Sequence, residues 1–324
     1  MLEPQRDLIV LAIGGHSLLD PSLPPSVDNQ FAVTARAMQP VAELLRRGQR
    51  LLITHGNGPQ VGYLQMRCEL SRDELHTVPL DSLVADTQGS LGYMIQRALR
   101  EELRVLGDDI EVVTLVTEVE VDPLDQAFEE PTKPIGRFYD VDTAKAMSWE
   151  HGWTFIDDAG RGFRRVVASP NPVRIVQFDT IQTLVERGVQ VICCGGGGIP
   201  ISRKDDGSAI GVECVIDKDR VSARLAVEMG VNRFVVTTGV DAVYRGYQTE
   251  QPERLATMTA KQVREMAHAG EFPRGSMRPK MDAALYYLNR CIQGEFILCR
   301  PEDLLAALDG TKGTRIYNEK REKA

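Results

Sequence analysis

Four glycine-bearing segments pair small residues with polar ones at spacings suited to gripping an anion. They are Gly14-Gly15-His16-Ser17, His55-Gly56-Asn57-Gly58-Pro59-Gln60-Val61-Gly62, Gly195 to Gly198 followed by Ile199-Pro200, and Gly275-Ser276-Met277-Arg278-Pro279-Lys280. Phosphate is commonly held by backbone N–H groups in turns and at helix N-termini, where glycine lets the main chain come close. Any one of these segments is an ordinary tight turn after a strand. Four in one chain point towards a phosphate.

Moving a phosphoryl group asks for cations around its three equatorial oxygens and little covalent chemistry from the protein. Lys218, in Ile216-Asp217-Lys218-Asp219, stands just ahead of a helical pattern whose N-terminus adds positive potential, with Asp217 placed to orient it. Lys280 follows Pro279, and Lys133 lies in Pro131-Thr132-Lys133-Pro134-Ile135-Gly136. Singly, each would read as a solvated surface lysine. The prolines beside two of them stiffen the backbone around the cation, which a surface lysine does not need. No GxxxxGK[ST] string occurs, nor a GxGxxG between strand and helix with an acid downstream, nor the H-R-D and D-F-G strings of protein kinases. Phosphate chemistry in this chain therefore needs another fold.

Regular elements must bring these residues together. Apolar runs at 8–13, 51–54, 191–194 and 234–238 each end at a glycine, and continuous rather than alternating apolarity marks strands covered on both faces. Helical patterns at 32–47, 180–187 and 220–229 each stop at a glycine. The recurrence predicts an α/β protein with a mainly parallel sheet and right-handed crossovers, its ligands at the carboxyl ends of the strands. Residues 122–172 break the rhythm with several prolines, the aromatics Tyr139 and Trp153 and the basic Arg161, Arg164 and Arg165, which reads as an inserted flap. Residues 300–324 read as a final strand and a frayed charged tail.

The composition narrows the function. With 324 residues, 43% hydrophobic and 26% charged, the chain is expected to be a soluble globular protein. Its 38 Lys and Arg against 46 Asp and Glu give a net charge of −8, which argues against a nucleic-acid partner. Six cysteines, without a CxxC pair and mostly in apolar runs, predict buried thiols in a reducing, cytoplasmic setting. The first apolar run is too brief for a signal core, and no later run approaches the roughly 20 apolar residues that span a bilayer, so no membrane association is expected.

Seven strings in order carry a resemblance. They are residues 55–62, Thr87-Gln88-Gly89 with Gly92-Tyr93, Pro131 to Gly136, Arg164-Arg165-Val166-Val167, Cys194 to Pro200, Val215 to Asp219, and Gly275-Ser276-Met277 with Pro279-Lys280. Together they resemble carbamate kinase, within the amino-acid kinase superfamily, from about residue 8 to residue 316. The Pro-Thr-Lys-Pro-Ile-Gly and Ile-Asp-Lys-Asp strings separate this branch from acetylglutamate, aspartate and uridylate kinases. The resemblance implies a three-layer α/β/α sandwich with an inserted flap subdomain at 122–172. An N-terminal acceptor-binding lobe would cover about 1–205 and a C-terminal nucleotide-binding lobe about 206–324. It further implies a homodimer using ATP/ADP with Mg2+, the protein's own metal ligands being unspecified.

By that resemblance Lys218 and Lys280 would bind the transferring phosphoryl group, Lys133 would reach in from the flap, and Asp217 would hold the lysines in place. Gly14, Gly15, His16, Gly56, Asn57 and Gly58 would face the small-molecule acceptor and the phosphoryl group. Gly196, Gly197, Thr238, Gly239, Val240, Tyr244 and Met277 would bind the nucleotide.

Departures from the family pattern fall in the same region. His16 stands where the family usually has Asn, Gly239 where it has Asp, and Arg278 where a small residue is usual, beside Lys280; Glu118 and Ala168 replace a usual Gln and Pro. An imidazole in place of an amide brings a group that titrates near neutrality. The expected reaction is reversible phosphoryl transfer between ATP and carbamate, with ATP formation from carbamoyl phosphate the implied physiological direction. Two rivals stand beside it: a kinase for another small carboxylate or carbamoylated acid, with His16 and Arg278 reading the extra group, and a non-catalytic nucleotide or metabolite sensor.

Overall fold

A computed structural model describes residues 8–321 apart from positions 21, 25, 159, 248 and 274 and the side chain of His16. The chain opens with β1 (Leu8–Ile13), α1 (Val27–Arg46), β2 (Arg50–His55), α2 (Gly58–Leu70), α3 (Leu80–Val105), β3 (Val112–Thr114) and β4 (Glu118–Val121). An excursion follows, made of β5 (Lys133–Tyr139), α4 (Val141–His151), β6 (Thr154–Asp157) and β7 (Phe163–Val167), and the chain returns through β8 (Pro172–Ile175). Next come α5 (Phe178–Glu186), β9 (Gln190–Ile192), β10 (Ile199–Arg203), β11 (Ala209–Gly211), α6 (Lys218–Glu228) and β12 (Arg233–Thr237). The last part holds β13 (Val243–Arg245), β14 (Glu253–Leu255), β15 (Thr257–Thr259), α7 (Ala260–His268), α8 (Met277–Arg290), β16 (Glu295–Cys299), α9 (Leu304–Leu308) and β17 (Thr314–Tyr317).

The large sheet has the order β15-β17-β16-β12-β1-β2-β9-β3, and its pairs are parallel except β16 with β17. Period-two alternation explains the layers. On β1, Leu8, Val10 and Ala12 join an apolar cluster with residues of α5, α6, α7 and α8, whereas Ile9, Leu11 and Ile13 join one with α1, α3 and α9. Both faces are therefore covered, as the unbroken apolar run predicts. Phe234 of β12 is fully buried and meets Tyr287 and Phe296 edge-on at 5.7 and 5.2 Å between centroids. The fold is a three-layer α/β/α sandwich with a mainly parallel central sheet.

Some boundaries differ from expectation. The first helix begins at Val27 because the Ser26 side chain accepts from Asn29 N–H, and it runs through Pro40. The long α3 runs on through Gly89 and Gly92, and the motif at 87–93 lies on it. The residues after β17 are tied down rather than frayed as far as they are described. The Asn318 amide donates to the Leu288 carbonyl at 3.1 Å, and Arg264 pairs with Glu319 at 2.7 Å. Positions 322–324 of the expected tail lie outside the described residues.

The excursion is bounded by β4 and β8, which pair antiparallel and bring Val121 opposite Pro172. Its own sheet has the order β5-β7-β6. Between β9 and β10 the chain turns through Gly195–Gly198, and Gly198 takes φ 85° and ψ 155°, a region open essentially to glycine alone. A Cβ there would also collide with the Val119 side chain. Gly198→Ala is expected to lower stability by about 2 kcal/mol or more, read as a drop in the urea midpoint; an unchanged midpoint would contradict this account of the turn.

Candidate active site

Parallel register places the glycine turns side by side at one edge of the large sheet. Ile13 is opposite both His55 and Thr237, so the turns after β1, β2 and β12 leave the sheet at the same level. Main-chain hydrogen bonds lock them: Gly14 N–H donates to Thr237 O at 3.1 Å, and Gly56 N–H to Ile13 O at 2.9 Å. Gly15 and Gly56 approach so closely that a Cβ on Gly56 would lie 3.0 Å from Gly15 N. Only glycine permits that contact between backbones.

The Gly195–Gly198 turn is held by the side chains of Gln88 and Thr117. The buried Gln88 amide donates to Thr117 O and Gly195 O at 3.0 and 2.9 Å, and its oxygen accepts from Thr117 N–H at 2.8 Å. Cys194 enters the turn at φ 52°, a strained value for a residue other than glycine, and donates to Thr117 Oγ1 at 3.1 Å. Asn57 is buried, with Nδ2 donating to Thr87 Oγ1 at 2.8 Å. Behind the second turn, His55 is fully buried beside Gly56 and Lys218.

The N-terminus of α6 supplies the charges. Asp217 is its N-cap, its Oδ1 accepting from Asp219 N–H and Arg220 N–H at 2.9 and 3.4 Å. Lys218 and Asp219 are therefore the first helical residues rather than positions ahead of the helix. The Ser222 hydroxyl donates to Lys218 O at 2.7 Å and meets Thr54 Oγ1 at 2.6 Å, fastening this turn to β2.

Lys133, Lys218 and Lys280 converge here from β5, α6 and α8. Lys133 Nζ donates to Asp217 Oδ2 at 3.3 Å and to Ile216 O at 3.2 Å. Lys218 Nζ reaches Asp219 Oδ1 at 2.6 Å, and Lys280 Nζ reaches Asp219 Oδ2 at 3.1 Å. The expectation that Asp217 holds the lysines is thus corrected: Asp217 takes Lys133, and Asp219 takes the other two. Sequence reasoning passed over Asp219 because only the helical turn shows that its carboxylate faces both ammoniums.

Burial by itself would raise the Asp219 carboxyl, but the charges of Lys218 and Lys280 outweigh it and hold it below the usual carboxylate range. Desolvation pulls Lys218 below its ordinary value despite Asp219, while in Lys280 the Asp219 and Asp217 charges overcome burial and raise it. Three ammoniums against two carboxylates leave one net positive charge for an anion.

Two adjoining cavities, each of about 160 Å³, meet at Thr238 and Lys280. The first is walled by Gly14, Gly15, Gly56, Asn57, Gly58, Gly196 and Gly239 together with the lysines and both aspartates. Ser17, which sequence reasoning left unassigned, also lines it, and its buried Oγ has no partner among the described residues. The second cavity is more apolar, lined by Val240, Tyr244, Tyr247, Phe272 and Met277.

Of the residues expected at the nucleotide, Val240, Tyr244 and Met277 line the apolar cavity, Thr238 both cavities, Gly196 and Gly239 the lysine cavity, and Gly197 neither, lying against the Ile216 carbonyl. Arg278 does not stand beside Lys280: its guanidinium pairs with Asp282 at 2.8 Å and donates to Ala267 O at 3.1 Å. Tyr247, Phe272 and Glu271, which carried no motif signal, line the apolar cavity.

This constellation of glycine turns and lysines on an α/β/α sandwich defines a class. The chain belongs to the amino acid kinase family, whose profile matches residues 7–297. Within it the chain is similar to carbamate kinases: it is 40% identical to carbamate kinase of Staphylococcus haemolyticus, over 95% of this chain and 98% of that one. It is 42% identical to a carbamate kinase-like protein of Escherichia coli, over 96% and 99%. Among solved structures, carbamate kinase from Giardia lamblia bound to AMP-PNP superposes with a TM-score of 0.89 at 33% identity, over 97% of this chain and 99% of that chain.

Two outcomes test the buried network. Burial pushes His55 from 6.5 down to about 4. The folded protein therefore resists a proton that the unfolded chain accepts, and stability present above pH 6.5 should fall by about 3 kcal/mol between there and pH 4. Urea midpoints for wild type and His55→Gln should show a shallower acid loss in the variant. Asp219→Ala strands two buried ammoniums and should cost about 3–5 kcal/mol; a midpoint near wild type would refute its shared pairing.

Proposed function

We propose that the protein transfers a phosphoryl group reversibly between ATP and carbamate, forming ADP and carbamoyl phosphate. The observation that carries this is the meeting of Lys133, Lys218 and Lys280 around Asp217 and Asp219, beside turns whose glycines border the same cavity. The likeness to carbamate kinases over nearly the whole chain supports the choice of acceptor.

The adenine would lie in the apolar cavity against Tyr244, Val240 and Met277, with the phosphates passing Thr238 and Lys280 into the lysine cavity. Carbamate would sit over Gly14, Gly15, Gly56, Asn57 and Gly58, with His16 on the same turn. In the ATP-consuming direction a carbamate oxygen attacks the γ-phosphorus, and the bond from that phosphorus to the ADP oxygen breaks. The attacking oxygen is already anionic, so no general base and no covalent enzyme intermediate are required. Lys218 and Lys280 would neutralise the transferring oxygens, and Lys133 would bring its charge from the excursion that carries β5. Magnesium would arrive with the nucleotide and neutralise charge on its phosphates.

The same proposal includes a homodimer and a cytoplasmic setting. The described cysteines are all free thiols, which suits a reducing compartment, although Cys68 and Cys291 are only half-buried. No helix among the described residues is long and apolar enough to cross a membrane.

One observation favours a second acceptor class. A Cβ on Gly239 would meet nothing within 4 Å, so room is left beside the lysine cavity for a larger carboxylate or carbamoylated acid. A coupled assay of ATP formation from carbamoyl phosphate and ADP, followed by a panel of carbamoyl-bearing acids, separates the two. Lys218→Ala is expected to reduce turnover by about 10²–10³-fold in a protein that remains folded. Near-normal turnover in that variant would sink the assigned role, and nucleotide binding without turnover on any acceptor would identify a sensor instead.

A further inference from the structure

A cavity larger than the one that holds the lysines lies beside it. It measures about 560 Å³, within the usual range for small-molecule sites, and lies on the seam between α2, the start of α3 and the excursion. A thin apolar wall divides it from the lysine cavity: Val61, Ile135 and Val215 face one side and Leu80 and Leu83 the other, all within one packed cluster.

Its polar groups are unevenly satisfied. The Arg165 side chain is only 14% exposed, stacked 4.0 Å over the Trp153 ring, yet it donates no hydrogen bond to any described residue. Its nearest carboxylate, on the more exposed Glu213, is 3.9 Å away, and a Glu213 oxygen already accepts from Leu80 N–H at 3.0 Å. The guanidinium nitrogens stay open to water on the cavity side, so their donors are free for a ligand's acceptors. Arg72 adds a second guanidinium, in contact with His151 at 3.0 Å and facing Glu150 at 3.5 Å and Asp73 at 3.9 Å. Glu69 is occupied elsewhere, accepting from the Tyr139 hydroxyl at 2.7 Å and facing Arg137 at 3.7 Å.

We propose that this cavity is a second ligand site, which takes a small organic acid with one carboxylate and a short apolar body. The carboxylate pairs with the forked donors of Arg165 and Arg72, and the body rests on Trp153, Val78, Leu80 and Leu83. Glu69 and Glu213 also line the cavity, so a monocarboxylate meets less repulsion there than a phosphate dianion. The site is joined to the lysine cavity by one ribbon: Arg165 of β7 lies opposite Ile135 of β5, and Lys133 lies opposite Val167. A ligand that anchors Arg165 therefore steadies the strand that delivers Lys133.

The test needs no turnover, so it stands or falls apart from the proposed reaction. The chain has two tryptophans, and replacing the 94%-exposed Trp149 by Phe leaves Trp153 as the single reporter. Titration of full-length Trp149→Phe with 4-methylpentanoate should change Trp153 emission saturably. Binding should be at least about tenfold tighter than for 4-methylpentanamide or inorganic phosphate. Adding Arg165→Met should abolish the response while preserving the melting profile; if that variant does not fold, Arg72→Met must weaken binding at least about threefold. Peptides covering 133–139 should exchange deuterium more slowly when 4-methylpentanoate is bound. A response that does not saturate, that the amide or phosphate reproduces, or that survives Arg165→Met overturns the site, and unchanged exchange overturns the link to Lys133.

Discussion

The organising constraint is electrostatic: three ammonium groups must share two carboxylates in a largely dehydrated place. Asp219 is almost wholly buried and bonded to both Lys218 and Lys280, so its charge is what allows two like charges to lie in one cavity. Such a cluster is expensive to desolvate and stays assembled only if the backbone holds each partner where it is. Asp217 does so at the helix end, capping α6 with one oxygen and taking Lys133 with the other. The imbalance of one positive charge is then fixed in space before any anion arrives, which is the kind of preorganisation that phosphoryl transfer exploits.

The glycine turns serve that arrangement by letting main chain replace side chain. Where Gly15 and Gly56 nearly touch, no Cβ can be fitted, and the result is a cavity rim of peptide groups rather than methyls. Gln88 does comparable work from behind, bonding to both peptide groups of Thr117 and to Gly195 and so keeping the Gly195–Gly198 turn in register with the first two. Cys194 is held at positive φ in the middle of this clamp, a strain that the surrounding hydrogen bonds offset.

The excursion contributes through a two-stranded ribbon with two jobs. Its pairing of β5 with β7 sends Lys133 to one cavity and Arg165 to another, on either side of a wall a few apolar side chains thick. Anything that moves the ribbon moves both cations together. That coupling follows from strand pairing and packing alone, and it makes the seam a natural place for a ligand to act.

Much of this was legible in the residues themselves. Unbroken apolar strands ending in glycine dictate a covered parallel sheet, because such runs are stable only with helices on both faces. The ordered strings around His55, Lys133, Lys218 and Lys280 identify the family, since close backbone contact and stiffened lysines demand those residue types at those spacings. The sequence could not assign partners. Which aspartate meets which lysine depends on the first turn of α6; Arg278 turns away because Asp282 lies one helical turn along; and Gly196 borders the lysines rather than the apolar cavity because the β9–β10 turn faces Asn57. The second cavity left no trace in any motif, because its walls come from segments far apart in the chain and its chemistry exists only once α2 and the β5–β7 ribbon are packed together. Local pattern fixes what each segment can form, whereas the pairing of charges and the shape of voids are set by distances that only the folded chain defines.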